Sequence, residues 1–173
     1  MKAEDALAKL GLPLPSLEDL YQVNPSGAHY ISHYPLQNVL YLSGTTPRKD
    51  GKGYLPGVLG KDLTIEQGYE AARYAAVTTL SVIKYALGDL DRVRQIVQMT
   101  GFVNSAPGFN DQPRVVNGAA DVFAALWGER GKMTRAAIGC QGLGGSASVE
   151  IIVTLLFEGS EVTPPLARDH FVK

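Results

Sequence analysis

The sequence predicts an α/β (α+β) domain: a two-layer sandwich with two helices on one face of a mixed sheet, in the order β-β-α-β-α-β-β. Three observations carry this. Residues 64–87 and 112–127 repeat apolar side chains every three or four positions, the period of a helix with one buried face. Short runs rich in β-branched and aromatic residues lie around them and read as strands. The last run, VEIIVTLLF at 149–157, is apolar at nearly every position, as expected of a strand covered on both sides. Two helices cannot cover both faces of such a sheet, so self-association through the open face is expected.

Along the chain, residues 3–10 suggest a short helix with Ala6, Leu7 and Leu10 on one side, closed by Gly11 and held off by Pro13 and Pro15. A helix this short is marginal alone and needs a surface to dock on. The reading divides the chain into an N-terminal extension (1–28), a core domain (29–158) and a C-terminal tail (159–173). Residues 29–34 and 38–43 form the first two strands, joined around Pro35–Gln37. The Gly- and Pro-rich stretch 46–60 is a loop. Thr64 and Gln67 have capping-box spacing at the start of the first long helix, and Gly88 ends it. A strand follows at 92–103. The second helix, 112–127, tolerates Pro113 in its first turn and stops at Gly128. The last two strands are 133–140 and 147–157. The glycine-rich connector QGLGGS suggests that they form a hairpin.

The formal charge of −1, from 16 Lys+Arg against 17 Asp+Glu, argues against a protein that binds nucleic acid by neutralising phosphates. A single cysteine, Cys140, excludes an internal disulfide framework. The N-terminus has acidic residues early and no long apolar stretch, and no run suits a membrane span. A cytoplasmic protein is the expectation.

Glu150 is the residue that breaks pattern, a carboxylate within an apolar strand. Burial there is costly unless the group is paired or hydrogen-bonded. Arg135 lies on the preceding strand, and a hairpin centred near Leu143–Gly144 would bring the two within a diagonal step. Strand parity decides whether they share a face. A pair that merely sets register, or a Glu pointing to solvent, remains open on this pattern alone.

The segment TRAAIGCQGLGGSASVEI resembles the C-terminal signature of the RidA (YjgF) family, in which an Arg is followed fifteen residues later by a Glu within an apolar strand, as Arg135 and Glu150 are. Tyr30, Asn38 and Ser43-Gly44 resemble the family's N-terminal hairpin, and Asn117 in VVNGAADVF resembles the asparagine that opens its second helix. The resemblance spans roughly residues 28–158. It implies a fold like trimeric chorismate mutase, a homotrimer with clefts between subunits, and hydrolysis of reactive enamines and imines. Substrates such as 2-iminobutanoate and 2-iminopropanoate would yield 2-keto acids and ammonia, with no cofactor or metal. Arg135 would bind the substrate carboxylate through its planar fork, and Glu150 would orient water or move a proton. Tyr30, Ser43, Gly44, Asn117 and Ala137 would line the pocket, backbone groups near Gly44 and Ala137 holding the imine nitrogen.

The chain departs from the signature at Met133, Ala137, Gln141 and Leu143-Gly144. Ala137 stands where a cysteine is common, which excludes thiol chemistry at that position. Three other functions remain as alternatives: a different hydrolase on the same cleft, a non-catalytic carboxylate-binding or chaperone-like module, and the endoribonuclease activity reported under the L-PSP label. His29 and His33 alternate on the first strand without a third ligand, so no metal site is expected. His170 is expected in solvent, and Cys140 as a small buried filler.

Overall fold

The computed structural model describes residues 2–20 and 29–166. Its main sheet has five strands: β1 (His33–Leu36), β2 (Val39–Leu42), β5 (Val93–Asn104), β6 (Thr134–Cys140) and β7 (Val149–Phe157), in the spatial order β1-β2-β7-β5-β6. A small ribbon, β3 (Arg48–Lys49) with β4 (Lys52–Gly53), interrupts the stretch read as loop. Helices α3 (Ile65–Leu87) and α4 (Gln112–Trp127) pack on one face. The fold is the α+β sandwich the patterning predicts.

Helix α3 starts at the expected capping box. Thr64 Oγ1 accepts from the Gln67 amide at 3.2 Å, and Gln67 Oε1 accepts from the Thr64 amide at 2.9 Å. Gly88, at φ 75°, closes the helix in the left-handed conformation that glycine adopts without steric cost. The predicted stripe of α4, Val115, Ala119, Val122 and Leu126, is buried. Each buried Val or Leu of the stripe contributes about 1.5–3 kcal/mol of transfer free energy, and Ala119 less. The helices meet closely at Gly118, where a Cβ would overlap the Tyr69 carbonyl oxygen.

Helix α3 is buried around most of its circumference, more than a two-layer packing demands. Thr79 faces the sheet, its Oγ1 2.7 Å from Thr45 Oγ1. Two residues on, Ser81 faces the opposite way and donates to the Pro15 carbonyl at 2.7 Å, as a rotation of about 100° per residue requires. Arg73 donates to the Leu10 carbonyl at 3.1 Å. The N-terminal segment, with α1 (Ala3–Lys9) and the short α2 (Leu17–Leu20), therefore crosses the outer side of the helix layer. It buries Ala3, Ala6, Leu7, Leu12, Leu17 and Leu20 there.

Three expectations are corrected. The first turn sits at Gln37–Asn38, and Pro35 lies within β1. Since β1 is an edge strand, a residue without an amide proton is tolerated. His33 is buried: Nε2 donates to the Thr163 carbonyl at 2.9 Å and Nδ1 accepts from Ser32 Oγ at 2.9 Å, so it does not share an open face with His29. The largest correction concerns the final strands, which do not form a hairpin. Strand β6 pairs parallel with β5 at the sheet edge, and β7 runs antiparallel between β2 and β5. The central place of β7 accounts for its apolar character. The expectations for residues 21–28 and for His170 lie outside the described residues.

Candidate active site

Alternation along β7 sends Val149, Ile151, Val153, Leu155 and Phe157 into the core. Glu150, Ile152, Thr154 and Leu156 point to the open face. Glu150 stands opposite Phe102 of β5, which stands opposite Ile138 of β6. The chain beyond β2 stays beside β7, with reciprocal amide–carbonyl bonds of 2.9 Å between Thr45 and Ile151. That places Gly44 against Glu150 so closely that a Cβ on residue 44 would overlap Glu150 Oε1. Ser43 donates its hydroxyl to the Ile31 carbonyl at 2.6 Å, and its amide donates to the Ser32 carbonyl at 3.1 Å. Tyr30, half-exposed, begins the segment tied to Ser43. Burial raises the Glu150 carboxyl above the ordinary glutamate value, because a low-dielectric setting disfavours the charged form. Among the described residues Glu150 has no ion-pair partner.

Arg135 lies elsewhere. It stands opposite Met99, and Met99 opposite the core residue Val153, so Arg135 belongs to the helix face at the sheet edge. Its exposed side chain reaches α4 and donates through Nη1 to Asn117 Oδ1 at 2.8 Å. Ala137, two residues on, points the same way and packs against the core. Within one chain the seven predicted residues thus form two groups. Glu150, Gly44, Ser43 and Tyr30 lie on or beside the open face. Arg135, Asn117 and Ala137 lie at the β6 edge. The expected diagonal contact between Arg135 and Glu150 is absent, because β5 separates their strands and parity puts them on opposite faces.

The open face carries Tyr34, Leu36, Tyr41, Ile138 and Ile152, all exposed large apolar side chains. Thr154, Gln98 and Thr100 stand among them on the same face, so it is mixed, with large apolar side chains spread across it. Cys140 is also here. It is half-buried rather than a core filler, and its thiol is raised first by burial and then by the Glu150 charge. The strand period could have placed Cys140, which shares the parity of Ile138, on the Glu150 side.

A family model described as "YjgF/chorismate_mutase-like, putative endoribonuclease" matches residues 11–151. The chain belongs to the YjgF/chorismate mutase-like (RidA/L-PSP) family. Within this RidA-family chain the match reaches back into the segment that crosses the helices. Protein TCP17 of Trypanosoma cruzi is 38% identical over 146 residues, covering 84% of this chain and 88% of that protein. The crystal structure of Atu1372 from Agrobacterium tumefaciens, a protein of unknown function, shares 35% identity with a TM-score of 0.82, over 90% of this chain and 92% of that one. A Shewanella oneidensis MR-1 structure, described in the same endoribonuclease terms, shares 26% identity with a TM-score of 0.82, over 91% of this chain and all of that one. No helix among the described residues is long and apolar enough to cross a membrane.

Proposed function

We propose that the protein hydrolyses reactive enamines and 2-imino acids, 2-iminobutanoate and 2-iminopropanoate among them, to 2-keto acids and ammonia. The observation that carries the reading is Glu150: a half-buried, unusually basic carboxylate set on Gly44, on the open face of the sheet. A carboxylate of raised pKa is a competent base near neutral pH.

The two groups of site residues become one if a second copy covers the open face. The β6 edge of one protomer then lies over the Glu150 face of the next, and a homotrimer closes three such clefts. The large exposed side chains Tyr34, Leu36, Tyr41, Ile138 and Ile152 on that face support this arrangement. Arg135, oriented by Asn117, binds the imino acid's carboxylate bidentately. Glu150 accepts a proton as water adds its oxygen to the imine carbon, giving a carbinolamine. That proton passes to the nitrogen, completing the carbinolamine's amino group; Glu150 then takes the carbinolamine's hydroxyl proton and hands it to the same nitrogen, the C=O bond forms as the C–N bond breaks, and ammonia leaves. Water is the only co-reactant.

The test is to generate 2-iminobutanoate in situ with a dehydratase and follow its decay. The protein should accelerate decay, and Arg135→Ala should abolish the acceleration while remaining folded. Decay at the buffer rate with tight 2-oxobutanoate binding would instead indicate a carboxylate-binding module.

A further inference from the structure

Beside the Arg135–Asn117 contact lies a recess of about 320 Å³, lined by Ile65, Glu66 and Tyr69 of α3 and by Arg114 and Asn117 of α4. It adjoins the close approach of the two helices, where a Cβ on Gly118 would overlap the Tyr69 carbonyl oxygen. Asn117 belongs to both places: its Oδ1 receives Arg135, and its side chain walls the recess. Arg114 is one turn ahead of Asn117 on the same helix face. Its link to Asp111 is long, 3.5 Å, and largely exposed, which leaves the guanidinium available for a ligand.

The chemistry of the lining is specific. Arg114 offers only donors, and the ionised Glu66 only acceptors, some of them already taken by its own amide and the Thr64 hydroxyl. The Tyr69 hydroxyl is committed to Asp121 Oδ2 at 2.8 Å, so its ring serves as a wall with Ile65. A volume of this order greatly exceeds the need of a two-carbon side chain and falls in the usual range of small-molecule sites.

Resting on the carboxylate-capture role of Arg135, we propose that this recess is a side-chain subsite for 2-imino acids ending in a carboxamide. The amide oxygen accepts from Arg114, the amide nitrogen donates to Glu66, and the connecting methylenes lie against Ile65 and Tyr69. A second carboxylate suits the site less well, because Glu66 repels it.

Titration calorimetry on the intact protein tests this with three stable probes. These are 2-oxobutanoate, a five-carbon 2-oxo acid ending in a carboxamide, and the matching acid ending in a carboxylate. The expected order puts the carboxamide about tenfold tighter than 2-oxobutanoate, the scale of one charge-assisted hydrogen bond. Arg114→Ala, checked for folding by thermal melt, should bring that ratio close to one, and Arg114→Gln should restore part of it. Equal binding of all three probes, a ratio unmoved in Arg114→Ala, or preference for the dicarboxylate overturns the subsite while leaving Arg135 its role. Binding of none overturns the carboxylate-capture reading, and the subsite with it.

Discussion

The carboxylate of Glu150 occupies the space that a side chain on Gly44 would need. Two strands are thereby coupled at one point: the backbone after β2 acts as the floor on which the proposed base rests. Residue 44 has no methyl group because the carboxylate is there.

Gly44→Ala should push that carboxylate out of its place, because the added Cβ would overlap Oε1. The displaced atoms are the end of a flexible side chain, so the cost in stability should be small, whereas misplacing a catalytic group lowers turnover by about 100-fold. A melt together with steady-state kinetics reads both. A variant that melts close to the wild type and keeps its full kcat would count against a part for Glu150 in the reaction.

The raised carboxyl of Glu150 gives two linked pH effects. The native state holds this proton more tightly than the unfolded chain, so Glu150 favours folding most at low pH and opposes it as pH rises through the native value. Glu150→Gln should therefore raise the melting temperature at neutral pH, and the gain should fade below about pH 4.5, near the ordinary value. The activity runs the other way. It should fall as pH drops through that raised value, because the protonated carboxyl is no longer a base. The Gln variant should lack this acid limb along with most of its turnover.

In the proposed reaction Asn117 acts on the substrate through Arg135, whose guanidinium donates to Asn117 Oδ1 at 2.8 Å. Asn117→Ala should weaken 2-oxobutanoate binding by about three- to tenfold, the range of an ordinary hydrogen bond, since the exposure of Arg135 screens the charge-assisted part. Asn117→Asp separates positioning from bulk. It holds the guanidinium more firmly but offsets its charge, so it should bind the anion no better than Ala. Full recovery with Asp would count against anion capture.

His33 makes the attachment of residues 163–166 sensitive to acid. Burial lowers its pKa, opposed in part by the bond to the Thr163 carbonyl. The native state thus binds this proton less readily than the unfolded chain, and stability should decline as pH falls below about 6.5. Protonation also turns Nδ1 into a donor facing Ser32 Oγ, which already accepts from the Leu166 amide at 3.1 Å. His33→Gln should flatten the dependence of the melting temperature between pH 7 and pH 5. An unchanged slope would assign the acid sensitivity to other groups.

Faces were legible in the sequence, and neighbours were not. Periodicity placed α4 at 112–127 with its buried stripe, because amphipathic spacing is a local property of the chain. The capping box at Thr64 and Gln67 was readable for the same reason. The pairing of β6 with β5 was not, since alternation says which way a side chain points but not which strand lies alongside. The connector QGLGGS also misled. Glycines that suit a hairpin serve here for a tight turn in which Gly145 (φ 63°) and Ser146 (φ 58°) are both left-handed. That turn holds the neighbouring loop through the Gly57 amide and Ser146 carbonyl, 3.0 Å apart. The fifteen-residue interval between Arg135 and Glu150 was visible from the start, but its meaning depends on β5 lying between their strands.

The strap across the outer side of α3 fixes an orientation useful to the experimenter. Ala8 is exposed on α1, behind the helices, and the open sheet surface faces the other way. A fluorophore or a surface linkage attached at that position would leave the proposed assembly through the sheet unobstructed, so stepwise photobleaching can count the copies in a single particle and test that proposal.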